Sequence, residues 1–470
     1  MDDVLTLAAR EQAMRITRGA LSAEALMRAT LDRIAAVNGA LNAVVSLRDA
    51  DDLLREARTR DAEPPRGPLH GLPVAVKDLA NARGLPTSMG SPLLEGQVAG
   101  SDDVHVARMR AAGAVIIGKT NTPEFGLGSN TYNPVHGITG NPYDMTLTCG
   151  GSSGGAAAAL STRMLGIADG SDMMGSLRNP AGWCNVYGMR PSWGHVPSEP
   201  AGDAFLHQLS TNGPMARCPG DLALLLDVMS GPDPRQPHGG AVAPVGTLAG
   251  DVSGKRIGWI GDWGGAWPFE PGILPLCEAA ALELTAVGCE VEPLDAPFSR
   301  DALWESWSTL RSWQVACGLS DLYEDGAKRA RLKPAAIWEI ERGRALTGLE
   351  VHRASTRRSA WFQTAAALFE QYDALVWPTA QVWPFPTTTE WPTEIAGVEM
   401  DTYHRWMELM IPASLPGLPA VSVPAGFGPQ GLPMGLQIVG RRGDDRGVLE
   451  IAEAYHLATD WPGERPPPMS

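Results

Sequence analysis

The stretch Cys149–Leu160, "CGGSSGGAAAAL", is built almost entirely of small residues, and the reading given to it decides the fold. Glycines and serines that run straight into an apolar, helix-forming segment place backbone N–H groups at a helix N-terminus, where they stabilise negative charge. A flexible Gly/Ser linker fits poorly, because "AAAALSTRM" follows at once. The sequence therefore predicts an anion-stabilising loop feeding a helix.

Twenty residues on, "GSDMMGSLRNPAGWCN" (Gly170–Asn185) reads as a second glycine-rich turn, with Ser176 after Gly175 and Arg178 two residues later. Its plain alternative is a surface β-turn. Upstream, "GLPVAVKDLA" (Gly71–Ala80) is a short apolar run ending in Lys77 and Asp78. A strand-end lysine is ordinarily a solvated charge, but a desolvated one has its pKa lowered into the range of a useful base. Serine hydroxyls need such a base to become nucleophiles. No histidine is placed by any motif, so a Ser–Lys pairing is the candidate chemistry. Two other patterns are matched without support. "GGSSG" (Gly150–Gly154) fits the G-x-S-x-G nucleophile elbow, which needs an apolar strand before the serine; "NPYDMTLT" is polar and turn-rich instead. "GAVIIGKT" (Gly113–Thr120) fits the phosphate-loop pattern letter for letter, yet its middle residues read as the strand itself, which makes nucleotide binding an accidental match.

Composition narrows the field. The chain has 470 residues, 44% of them hydrophobic and 19% charged, with a net charge of −15. That acidity, with no Lys/Arg run, argues against nucleic acid. No stretch of 18 apolar residues offers a membrane span, and the start lacks a basic region followed by an apolar one. Six cysteines (149, 184, 218, 277, 289, 317) stand singly, the pattern of reduced cytoplasmic thiols. Nine histidines show no ligand spacing, so neither metal nor cofactor is expected. Ser22 is the N-cap candidate of a helix, Asp102–Gly113 a helix with a glycine stop, and "AVIIGKT" a buried strand. "GKRIGWI", "CEVEPL", "DALVWPT" and a hairpin-like "AVSVPAG"/"GLPMGLQIVG" pair are further strands, separated by helices such as 275–287. The closing "PGERPPPMS" reads as a loose tail. Alternating strands and helices predict a layered α/β fold.

Together the segments resemble the amidase signature family of serine hydrolases. "GGSSGG", "DMMGSLRNPAG" and "GMRPS" (Gly188–Ser192) match its core, with 75 residues from Lys77 to Ser152 and 24 from Ser152 to Ser176. "GLPVAVKD", "GAVIIGKTNTPEFG", "GITGNPYD" and "LPGLPAVSVPAG…GLPMGLQIVG" extend the resemblance over most of the chain; residues 200–370 carry least of it. The resemblance implies a large central twisted mixed β-sheet flanked by helices on both faces, in one domain over 1–470. Its signature core would span about 70–200, a variable, substrate-covering segment about 200–370, and C-terminal family strands 371–445.

The same resemblance implies a Ser–Ser–Lys triad: Ser176 as nucleophile, Ser152 after a cis peptide with Gly151 as bridge, and neutral Lys77 as base. The backbone amides of Met173, Met174, Gly175 and Ser176 would form the oxyanion hole, and Gly126, Met173 and Met174 would touch substrate. Ser153, Asp172 and Arg178 would support the two turns, Asp172 and Arg178 equally well as a purely structural ion pair. Glycine is usual in the family where Met174 stands; a methionine keeps the amide and adds an adaptable side chain. Trp304, Trp307, Trp313, Trp377 and Trp383 read first as core packing, and as signs of an apolar or aromatic substrate if they reach the cleft. The expectation is a cytoplasmic amidase, monomer or homodimer, that cleaves apolar or aromatic amides and carbamates (urethanes), with esters as a side activity. The alternatives are a glutamine amidotransferase-type subunit supplying ammonia to a partner and a catalytically silent binding protein on the same fold.

Overall fold

The structure, a computed structural model, describes residues 3–200, 202–240 and 242–469. Its largest element is an eight-stranded mixed sheet. Across it the order is Glu290–Pro293, Arg256–Trp259, Ala374–Pro378, Pro433–Gly440, Ala420–Phe427, Tyr187–Arg190, Thr211–Ala216 and Ile167–Asp172. Arg256–Trp259 runs parallel to both its neighbours, and the remaining pairs are antiparallel. The C-terminal hairpin sits at the centre, and five of its sixteen residues are Val, Ile or Leu, as suits a pleated surface covered by helices. The helices Ile273–Ala286, Arg178–Trp183 and Asp445–Thr459 pack on these strands. The fold is of the layered α/β class that the sequence predicts.

A separate three-stranded sheet, ordered Val44–Val45, Val115–Thr120, Pro73–Lys77, abuts the Ile167–Asp172 edge. Every residue of Pro73–Lys77 and Val115–Thr120 is buried, which accounts for apolar runs without polar alternation. The phosphate-loop match dissolves here. Its residues form the ladder of a strand, and Lys119 is spent on Ala80 O and on Thr87 Oγ1 at 3.3 Å.

Local signals explain the boundaries. Ser22 Oγ accepts from the Ala25 amide at 3.0 Å and opens the helix Ala23–Leu41. The helix Gly154–Ser161 is buried along its whole length. It needs its glycines, since a Cβ on Gly155 would stand 2.3 Å from Asn121 N. Three stretches differ from expectation. "DMTLT" (Asp144–Thr148) is a short strand, because it pairs with Gly140–Asn141 in a two-stranded ribbon outside the main sheet. Gly170–Asp172, expected as turn, finishes the edge strand through its pairing with Thr211–Gly213. The C-terminal tail docks through Arg465 O, which accepts from Tyr143 Oη at 2.8 Å and Asn185 Nδ2 at 3.1 Å.

Candidate active site

Three segments meet where the two sheets touch: the end of Pro73–Lys77, the Gly150–Ser153 loop, and the turn after Ile167–Asp172. Lys77 is fully buried, and its amide donates to Asp169 Oδ1 at 2.9 Å, fixing the strand end. Lys77 Nζ donates to Ser152 Oγ and Ser153 Oγ, both at 2.8 Å, and to Ser171 Oγ at 3.1 Å. Burial pushes its pKa from 10.5 down to about 7, against the opposing pull of the Asp169 and Asp172 carboxylates. No carboxylate of the described residues lies within ion-pairing distance of this nitrogen. A buried lysine facing only hydroxyls and a carbonyl is poised to exist as a free amine near neutrality.

The Gly151–Ser152 peptide is cis. Ser129 and Thr131 hold this loop: Ser129 Oγ donates to Gly151 O at 2.5 Å, and Thr131 Oγ1 to Gly150 O at 2.7 Å. Ser152 is buried and Ser176 is 8% exposed, making Ser176 the more open of the two hydroxyls. The Ser153 amide donates to Ser176 O at 3.2 Å, which ties one turn to the other. Among the described residues no hydrogen bond engages Ser176 Oγ, so it stands free for an incoming group.

Asp172 shapes the turn that carries Ser176. Its carboxylate accepts from the Gly175 amide at 2.8 Å and the Leu177 amide at 3.2 Å, and from Arg178 Nε at 3.0 Å and Nη2 at 3.1 Å. Arg190 adds a further contact at 3.3 Å. Two guanidiniums hold the carboxyl well below the usual range in spite of burial. Arg178 reaches on to Gln437 Oε1 at 2.7 Å and Ser414 Oγ at 2.6 Å, so the C-terminal hairpin anchors the turn. Asp172 and Arg178 thus form a buried ion pair.

The turn departs from expectation at Gly175. Its amide is already engaged by Asp172, while the amides of Met173, Met174 and Ser176 have no acceptor among the described residues. Gly175 serves instead through its conformation, at φ +86°, and through closeness, since a Cβ there would meet Met410 Cγ at 2.4 Å. The two methionine side chains point into different surroundings. Met174 is packed into the core, and Met173 Sδ lies 3.1 Å from Arg311 Nη1. Gly126, at φ +68°, lies close enough that a Cβ would be 3.5 Å from Ser152 Oγ.

Next to these loops is a cavity of about 240 Å³, whose lining includes Glu124, Tyr132, Lys333, Trp391, Tyr403 and Trp406. Ser129 and Asn130 also line it, and they back directly onto Gly151. None of the five tryptophans picked from the sequence lines it; Trp307 and Trp377 are core residues, as the plainer reading held. Sequence reasoning missed Ser171, Arg190, Arg311, Trp391 and Trp406. Ser171 and Arg190 stood inside quoted motifs and could have been weighed; Arg311 and the two tryptophans had no local signal. Among the described residues no group of three His, Cys, Asp or Glu is arranged to hold a metal ion. No described helix is long and apolar enough to cross a membrane.

Comparisons with known proteins bear on this site. Residues 25–449 match the family model described as Amidase. An acylamidase of Rhodococcus erythropolis is 33% identical, over 98% of this chain and 97% of that protein. A glutamyl-tRNA(Gln) amidotransferase subunit of Chloroflexus aurantiacus is 34% identical, over 98% of each chain. Among solved structures, a bacterial aryl acylamidase of the amidase signature enzymes superposes with a TM-score of 0.91 at 29% identity, covering 98% of this chain and 99% of that one.

Proposed function

The chain belongs to the amidase family and is an amide-hydrolysing enzyme, and from that premise we propose that it works through Ser176, Ser152 and Lys77 as a serine amidohydrolase of aryl amides and carbamates. The observation that carries this reading is the 2.8 Å contact from the buried Lys77 Nζ to Ser152 Oγ, beside a turn with three unengaged amides. Neutral Lys77 accepts the Ser152 proton while Ser152 accepts that of Ser176. Ser176 Oγ then attacks the carbonyl carbon. The amides of Met173, Met174 and Ser176 hold the developing oxyanion, each worth roughly 3–4 kcal/mol in such sites. The relay returns the proton to the leaving nitrogen as the C–N bond breaks, and water releases the acyl or carbamoyl group by the same steps.

Asp172, Arg178 and Ser153 act by positioning. The subclass rests on the acylamidase relatives and on the aromatic cavity. Residues 200–370 contribute Arg311 and Lys333 beside the site, supporting a covering role within a single domain. A cytoplasmic location belongs to the same proposal and rests on six free thiols.

Labelling with a fluorophosphonate followed by intact mass tests the reading. One adduct is expected on the native chain and none on Ser176→Ala. No adduct on the native chain overturns the serine-hydrolase mechanism, and an adduct retained in Ser176→Ala moves the nucleophile to Ser152 or Ser153. Ranking anilides, urethanes, esters and glutamine by kcat/KM then tests the subclass, with glutamine preference pointing to the ammonia-supplying alternative.

A further inference from the structure

We propose that the cavity behind the Gly151–Ser152 loop receives the aryl part of the substrate, and that Lys333 makes it select an arene bearing a carboxylate. This rests on the hydrolase reading for the word substrate, while the binding site stands on its own geometry. Four aromatic rings, those of Tyr132, Trp391, Tyr403 and Trp406, supply flat apolar walls around about 240 Å³. That lies just below the roughly 300–1,000 Å³ of small-molecule pockets, so it suits one substituted ring rather than a long chain or a peptide. Three contacts connect the lining of the cavity to the loops that carry Ser152 and Ser176. Ser129 lines it and hydrogen-bonds Gly151 O; Glu124 lines it two residues before Gly126, the neighbour of Ser152 Oγ. Tyr403 lines it and is joined through Arg311, at 2.6 Å, to Met173 of the nucleophile turn.

Lys333 is the polar feature that aromatic packing does not explain. Its side chain is half-buried, and the ammonium donates to Leu127 O at 2.7 Å and lies 5.7 Å from the centre of the Tyr132 ring. No carboxylate of the described residues comes within ion-pairing distance of it. The two acids of the cavity do not fill that role: Glu124 is held by Ser91 Oγ at 2.8 Å, and Glu390 is exposed at the rim. Burial pushes the carboxyl of Glu124 up, and it brings Lys333 down to about 8 against the pull of the Glu124 and Glu390 carboxylates, which leaves Lys333 mainly cationic at pH 7. A half-buried cation with spare N–H donors and no carboxylate in direct contact is an arrangement that a ligand carboxylate completes. The surrounding rings restrict that carboxylate to an aromatic carrier.

Calorimetric titration of the full chain carrying Ser176→Ala with 4-aminobenzoate and with aniline tests this without turnover. 4-Aminobenzoate is expected to bind at least tenfold more tightly than aniline. Adding Lys333→Met should erase the preference, and Lys333→Arg should keep most of it. Equal affinities in the Ser176→Ala chain, or a preference that survives Lys333→Met, overturn the proposal. In the native chain, the kcat/KM ratio of 4-acetamidobenzoate to acetanilide is expected to fall by tenfold or more on Lys333→Met; an unchanged ratio overturns it as well. The two readings fail separately. Absent fluorophosphonate labelling with Lys333-dependent binding removes the mechanism and leaves the site, whereas labelling without selective binding does the reverse.

Discussion

The Lys77 environment makes a prediction in two observables. Burial takes this lysine from 10.5 to about 7, a change worth roughly 5 kcal/mol. In an ordinary setting only about 3 lysines in 10,000 are neutral at pH 7; in this site about one half are. If neutral Lys77 is the base, kcat/KM for an anilide rises with pH along a one-proton limb centred near 7, and the rate at pH 6 is about a tenth of the plateau. The folded-state pKa lies below the unfolded one, so between about 7 and 10.5 the unfolded chain binds more protons and stability rises with pH. Below pH 7 the full cost is present.

Urea unfolding of the native chain and of Lys77→Met, measured from pH 6 to 10, separates this from lost contacts. The serine hydrogen bonds contribute a constant difference, whereas titration contributes one that changes with pH. The native chain should gain on the variant by several kcal/mol, about 5 at most, as pH rises from 7 to 10. A kcat/KM profile flat between pH 5.5 and 8, or a stability difference that does not move with pH, would refute the reasoning.

Two further outcomes follow from the nucleophile turn. Asp172→Asn removes the anion between Arg178 and Arg190, and should cost about 3–5 kcal/mol in urea unfolding; because Asp172 raises the Lys77 pKa, the acid limb of kcat/KM should also move to lower pH. Gly175→Ala places a Cβ 2.4 Å from Met410 Cγ at a φ of +86°, so a loss of about 1–3 kcal/mol is expected, only partly restored by adding Met410→Ala because the backbone strain persists.

What could be read from the sequence was local. The helix after "GGSSGG", the buried strand "AVIIGKT" and the C-terminal hairpin each carry their signal within ten residues, and each stands where expected. Lys77 was legible because a charge ending an apolar run demands an explanation. Gly175 was not, since whether an amide is free depends on where the Asp172 carboxylate turns. The strand character of Gly170–Asp172 was hidden as well, because its reason lies forty residues away in Thr211–Gly213. The tryptophans show the same limit. Composition announced that tryptophan was plentiful, with 15 in the chain, but only the meeting of Tyr132, Trp391 and Trp406 from distant segments makes a cavity of some of the aromatic residues.

That distance also bears on how a widely shared mechanism becomes specific. The amides of the Met173–Ser176 turn are backbone groups and do not depend on the side chains carried there. The Met173 side chain does meet a specific group: Arg311 on the helix Arg300–Glu324. Arg311 is clamped in turn. Its Nε donates to Glu339 Oε1 at 2.7 Å, Tyr403 Oη donates to the same oxygen at 2.8 Å, and Ser312 Oγ donates to Glu339 Oε2 at 2.5 Å. All four residues are buried, so the cluster is a satisfied polar network in which each group fixes the next. Separating Arg311 from Glu339 would leave two buried charges uncompensated, at about 3–5 kcal/mol. The network thus joins the helix Arg300–Glu324, the helix Pro334–Ala345 and Tyr403 to the Met173 side of the turn.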